Sequence, residues 1–143
     1  MEKITGAAQK IMEERFGHDS LIALATAENG VPSVRTVNSF YENCAFYVIT
    51  YALSDKMKQI EKNPAVAICG EWFTAHGIGE SLGYLCDSKN KVIAAKLRTA
   101  FKEWYGNGHV DENDLNTCIL CIRLTDGVLF SQGTRYDIDF TAE

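Results

Sequence analysis

Apolar residues at Ile4, Ala7, Ala8, Ile11 and Met12 recur at helical spacing, with Phe16 continuing the stripe and Gly17 as the stop. The period then changes. Ser20 to Ala27 is a strongly apolar run of strand character, Glu28-Asn29-Gly30 supplies hairpin-turn chemistry, and Ser33 to Phe40 alternates strictly. The alternation puts Val34, Thr36, Asn38 and Phe40 on one face and Ser33, Arg35, Val37 and Ser39 on the other, so one face is half polar and carries an arginine. A turn at Glu42-Asn43 leads to a strand over Ala45 to Tyr51, rich in aromatic and β-branched residues, and then to Ser54-Asp55, a helix start. Ala65 to Trp72 is predicted as a strand with Gly70 as a bulge, and Gly77, Gly79 and Gly83 mark irregular strand where backbone or a ligand approaches closely. Ser88 is expected to cap a longer helix, Lys89 to Tyr105, with an apolar stripe of Ile93, Leu97, Ala100, Phe101 and Trp104, ended by Gly106-Asn107-Gly108. Thr117 to Leu124 and Val128 to Ser131 are predicted strands around an Asp126-Gly127 turn, and Arg135 to Phe140 alternates as a last strand with one wet face.

Many short antiparallel strands, with helices at the start, in the middle and before the last strands, predict a mainly β, α+β fold: a small barrel with helices packed outside. No repeat or linker divides the 143 residues, and a chain of that length buries about 68–70% of its unfolded surface, enough for one core, so 1–143 is expected to be a single domain. The net charge of −5, without a Lys/Arg cluster, argues against a nucleic-acid surface. No apolar run approaches a membrane span, and the first residues lack the apolar core of a signal peptide, so the expected location is the cytoplasm, without a membrane partner. Five cysteines then imply reduced thiols. Cys118 and Cys121 have metal-pair spacing, but residues three apart on a strand face opposite ways, so no metal site is expected. His76 has no serine or carboxylate in a recognised catalytic spacing and is taken as a barrel-mouth or interface histidine; the acidic segment around Asp111 lacks calcium-loop alternation and is taken as a surface loop.

The chemistry concentrates between Ser33 and Asn63. The first turn of a helix starting at Ser54 offers unpaired N–H groups and the positive end of its dipole to an anion. Thr50, Ser54 and Lys56 add two hydroxyls and an ammonium there, and Arg35 reaches the same region if the flanking strands pair. A phosphate is the natural guest. The competing reading makes Ser54 an ordinary cap, Lys56 a solvated charge and Arg35 a surface partner of a glutamate.

Arg35-Thr36-Val37, the strand ending Ile49-Thr50, and Ser54-Asp55-Lys56 before a short helix closed by Asn63-Pro64 together resemble the pyridoxamine-5′-phosphate oxidase-like family of FMN-binding split β-barrels, over roughly residues 5 to 125. The resemblance implies a six- to eight-stranded antiparallel split β-barrel and a homodimer whose second subunit completes the cofactor site. By position it assigns Arg35, Thr36, Val37, Asn38, Ile49, Thr50, Ser54 and Lys56 to FMN; Asp55 stands where many members carry a second basic residue. It implies an FMN-dependent oxidoreductase acting on a small-molecule substrate or electron donor or acceptor, in which the flavin does the chemistry and no catalytic side chain need be visible. Pyridoxamine-phosphate oxidation itself is not expected, because that enzyme type ends in an arginine- and proline-bearing segment, whereas the prolines here are Pro32 and Pro64. The alternatives are a non-catalytic flavin or electron-transfer module, and a barrel for another phosphorylated or planar ligand such as a deazaflavin or haem.

Overall fold

Thr5 begins the first helix by accepting the Ala8 N–H on its Oγ1 at 3.4 Å, and the Gly17 N–H closes the helix on the Glu13 carbonyl. The computed structural model describes residues 1–142; Glu143, the end of the predicted domain, lies outside them. A two-residue strand β1 (Glu2–Lys3) precedes this helix, α1 (Gly6–Phe16). There follow β2 (Ser20–Glu28), β3 (Val31–Glu42), β4 (Ala45–Tyr51), α2 (Asp55–Lys62), β5 (Ala65–Gly70) and β6 (Phe73–Tyr84). A 3-10 turn at Ser88–Asn90 leads into α3 (Lys91–Ala100) and α4 (Lys102–Tyr105), and β7 (Thr117–Ser131) and β8 (Thr134–Asp139) complete the chain.

The sheet order is β1-β8-β7-β4-β3-β2-β5-β6, and β6 also pairs with β7. Strands β2 to β7 therefore close into a six-stranded antiparallel barrel, with β8 added along β7 and β1 parallel to β8. The predicted α+β split barrel is the observed one. Closure leaves an inside and an outside, and two apolar clusters fill them. Phe16 from α1 packs with Phe46 and Phe73 in the larger cluster, together with Ile22, Leu24, Ile68, Leu120 and Ile122. The smaller cluster, Leu85, Ala94, Leu97, Phe101 and Ile119, seats α3 against the barrel, as the predicted stripe requires. Strand parity along β7 places Cys118 in the larger cluster, whereas Cys121 lines a surface opening with Tyr47 and Arg123, so the two thiols do face apart. No helix among the described residues is long and apolar enough to cross a membrane.

Several local expectations are corrected by packing. Asp126-Gly127 is not a turn: β7 runs unbroken through it, because a Cβ on Gly127 would lie 3.0 Å from the Phe73 and Phe140 rings and from the Thr74 carbonyl. The hairpin turns instead at Gln132-Gly133, where both residues have positive φ, 49° and 79°. Gly70 is the last residue of β5 and leaves room for Phe16, whose ring would lie 2.8 Å from an added Cβ; Trp72 sits in the following turn at φ 53°. Gly77 and Gly79 admit the Arg123 carbonyl and the Ile60 side chain, so the close approach there is by the protein itself. The helix before β7 is broken at Phe101, and Asp87, not Ser88, supplies the cap by accepting the Lys89 N–H at 3.0 Å.

Candidate functional site

Strand β3 is 12 residues long and β4 is 7, yet they share only the pairs Phe40↔Tyr47, Tyr41↔Phe46 and Glu42↔Ala45. Beyond Phe40, β3 follows β2 while β4 stays on β7, and the barrel wall splits. The split is a cleft of about 480 Å³ lined by Val37 and Asn38 on one side and Val48, Ile49 and Thr50 on the other, within the size range of small-molecule sites. Lys56 from α2 stands at its edge, and Trp104, Asn107, His109 and Val110 roof it. A larger opening of about 590 Å³, over Phe40, Ala95 and Ala100, has a more apolar floor, and Lys96 and Glu42 on its lining are already paired with each other at 2.7 Å.

Five of the predicted site residues thus line one cleft: Val37, Asn38, Ile49, Thr50 and Lys56. Arg35 lies behind it, on the inward face of β3. Its Nη1 donates to Thr26 Oγ1 at 2.8 Å and to the Leu24 carbonyl at 3.2 Å, and its Nη2 to Gln59 Oε1 at 3.2 Å, so it is tied to α2 and not to a glutamate. Burial lowers the Arg35 pKa, and Asp55 offsets part of that effect. The Thr36 side chain is exposed on the outer face opposite Ala23 and does not reach the cleft.

Ser54 occupies the N-cap position of α2, but its Oγ makes no cap hydrogen bond. That oxygen is buried and is the one such side-chain atom among the described residues left without a partner. A buried hydroxyl without a partner costs stability, and Ser54 itself is not among the residues that line the cleft. Two residues on, half-buried Lys56 has no carboxylate within ion-pair distance among the described residues. Its pKa is lowered first by burial and then by the Arg35 charge, and Arg35 itself reaches α2 through Gln59. Each part of the competing reading fails here: Ser54 is not acting as a cap, Lys56 is not fully solvated, and Arg35 is not paired with a glutamate. An orphan hydroxyl, a free ammonium, a nearby guanidinium and a helix N-terminus fit a phosphate monoester.

Periodicity offered no sign of the cleft's roof. The segment after α4 is folded back by Glu112, whose carboxylate accepts from Arg98 Nε and Nη2 at 3.0 Å each, from the Tyr105 hydroxyl and from the Cys86 thiol at 3.2 Å. These donors, Arg98 first, hold the Glu112 pKa down at about 2, so the staple is ionised throughout the neutral range. Asp111 and Asp114 accept from the Asn113 and Asn116 N–H groups, as in an ordinary polar loop. His76 lies elsewhere, exposed on β6 with its Nδ1 2.9 Å from Asp126.

The pyridoxine/pyridoxamine 5′-phosphate oxidase of Rippkaea orientalis is 30% identical over 119 residues, covering 64% of this chain and 56% of that protein, so the chain spans little more than half of the relative's length. A FAD-binding protein from Mesorhizobium loti superposes with a TM-score of 0.66 at 14% identity, over 87% of this chain and 92% of the other. A heme binding protein from Mycobacterium smegmatis does so with a TM-score of 0.65 at 13% identity, over 85% of this chain and 53% of the other. These two likenesses show a shared fold. The profile of the pyridoxamine 5′-phosphate oxidase family matches residues 8–127, which include the split strands and α2, and the chain belongs to that family.

Proposed function

We propose that the protein is an FMN-dependent oxidoreductase, the flavin lying in the split cleft and 1–143 serving as one cofactor-binding unit. The observation that carries this reading is the unpartnered Ser54 Oγ beside Lys56 and Arg35, which asks for a phosphate where the cleft begins. Lys56, Ser54 and the first N–H groups of α2 would hold the phosphate, with Arg35 adding its charge from behind. Val37 and Ile49 supply apolar surface for a ring, while Asn38 and Thr50 supply polar contacts. Bound flavin supplies the redox chemistry, and the protein orients it and sets its electrostatics. The test has two stages. Apo protein titrated with FMN should show a saturable change in the flavin absorption band; no uptake would remove the reading. Anaerobic stopped-flow mixing of the loaded protein with NADH, NADPH, quinones, nitro compounds and pyridoxal-type phosphates should reveal saturable, selective reduction or reoxidation. Bleaching by dithionite alone, with no preference among acceptors, would leave an electron carrier instead of an enzyme.

We also propose a homodimer built on the outer face of β2 and β3. Leu21 and Val34 are 63% and 69% exposed there, and their cross-strand partners are Asn38 and Ala25. Apolar side chains left in water beside small neighbours make a surface that a second copy can cover. Asn38 is opposite Leu21 and also lines the cleft, so the interface would border the cofactor. Sedimentation of the FMN-loaded protein should show a dimer, and Val34→Lys should give monomer that releases flavin. A wild-type monomer with full flavin occupancy would contradict the shared site.

A further inference from the structure

Asp19, in the link between α1 and β2, touches one wall of the cleft and its roof without lining it. Its Oδ1 accepts from Asn38 Nδ2 at 2.9 Å and its Oδ2 from Trp104 Nε1 at 2.8 Å. Asn38 belongs to the split strand and Trp104 to the roof, 85 residues from Asp19 in sequence. One carboxylate therefore ties the wall to the roof. An ionised carboxylate only accepts hydrogen bonds, so the Asn38 amide must turn its NH₂ towards Asp19. Asn38 Oδ1, which has no donor among the described residues, is thereby fixed as the acceptor that this residue offers to the cleft.

We infer that Asp19 is the positioning residue of this site: by bridging Asn38 and Trp104 it sets the width of the cleft away from the phosphate end and presents a hydrogen-bond acceptor there, selecting a planar ligand with a donor on its edge. The inference rests on the flavin reading above and narrows it. The oxidised isoalloxazine ring has a single N–H donor, on its imide edge, and a deazaflavin has the same edge. A haem periphery carries methyl, vinyl and carboxylate groups and offers no donor, and its carboxylates would meet the Asp19 charge. In Asp19→Asn the new amide can accept from Trp104 and donate to Asn38 only if Asn38 flips, which replaces the acceptor facing the cleft by a donor.

The clamp is tested without any flavin. In a Trp72→Phe background, where Trp104 is the remaining tryptophan, iodide quenching of the apo protein should rise severalfold on Asp19→Ala. Unchanged quenching overturns the clamp. The edge is tested with FMN and its imide-N-methylated analogue. Wild type should prefer FMN by about five- to tenfold, the worth of one neutral hydrogen bond, and Asp19→Asn should lose that preference while still binding both through the phosphate. Equal affinities in wild type, or an undiminished preference in Asp19→Asn, overturn the selection. Removing the carboxylate charge should also favour reduced over oxidised FMN, by about tenfold in relative affinity, or about 30 mV more positive for a two-electron couple. Trp104→Phe, which keeps an aromatic side chain but loses the N–H donor and part of the ring, should leave the imide preference intact and loosen the roof. If wild type binds neither flavin, the flavin reading and the ligand class fall together, whereas the quenching result still decides whether Asp19 joins the wall to the roof.

Discussion

Lys56→Ala is expected to weaken FMN binding by about 10- to 150-fold and to leave riboflavin binding nearly unchanged, the loss of a charge-assisted contact worth about 1.5–3 kcal/mol. The lysine is half-buried without a carboxylate partner, and burial and the Arg35 charge both push its pKa below the ordinary 10.5. The folded apo protein therefore holds this proton less tightly than the unfolded chain does. Between the lowered pKa and 10.5 the unfolded state binds more protons, so apo stability rises with pH through that window and the ionised lysine is a cost at neutral pH. A phosphate dianion reverses the sign by stabilising the ammonium. FMN affinity should thus fall as pH rises through the lowered pKa, and the Lys56→Ala curve should lack that fall. Ser54→Ala completes the test. A capping serine is worth about 0.5–2 kcal/mol, but this hydroxyl makes no cap bond and is buried without a partner, so apo stability should hold or rise in Ser54→Ala while FMN affinity drops. Fluorescence titrations with both flavins across this pH range provide the measurement, and an equal loss for FMN and riboflavin would show that Lys56 is not at the phosphate.

The parts of this site that were legible in the sequence are those that local chemistry determines. Ala45–Tyr51 is a strand because its aromatic and β-branched residues suit a pleated surface, and the observed bounds of β4 are the predicted ones. The Ser54 start of α2 was visible as capping chemistry. What the sequence could not show is that the capping oxygen is left unused, since that depends on how β3, β4 and α2 meet in space. Asp126-Gly127 reads as a turn in the sequence but lies inside β7 for a related reason. Asp-Gly is turn chemistry, but glycine also serves where a neighbour comes close, and only packing against Phe73 and Phe140 distinguishes the two. Trp104 looked like one more member of an apolar stripe. Its role as roof follows from a hydrogen bond to a residue from the other end of the chain, and His109 and Asn107 reach the cleft because Glu112 staples their loop. Contacts of that sequence separation leave no periodic trace.

Phe46→Ala should be the most damaging single truncation in the barrel, lowering stability by about 3–5 kcal/mol as transfer and cavity effects add. The Phe46 side chain is 0% exposed, and its ring centroid lies 5.5 Å from Phe16, 5.3 Å from Tyr41 and 6.3 Å from Phe73. It therefore joins α1, β3, β4 and β6 at one point, and the surrounding rings, each held by its own strand or helix, have little freedom to collapse into the vacated space. Against a typical total of about 5–15 kcal/mol, the loss is a large part of the whole. Urea unfolding should show a lower midpoint at unchanged slope, and a loss under about 1 kcal/mol would mean that the aromatic cluster is not what holds the barrel closed. The same experiment bears on the cofactor, because β4 carries both Phe46 and the cleft residues Ile49 and Thr50. A ligand that binds only the folded state adds about 2.7 kcal/mol at a hundredfold excess over its dissociation constant. Saturating FMN should therefore recover most of the lost stability in Phe46→Ala, whereas riboflavin, lacking the phosphate, should recover less at the same concentration. Equal recovery by the two flavins would separate the barrel core from the phosphate end of the cleft and leave Lys56 without its assigned role.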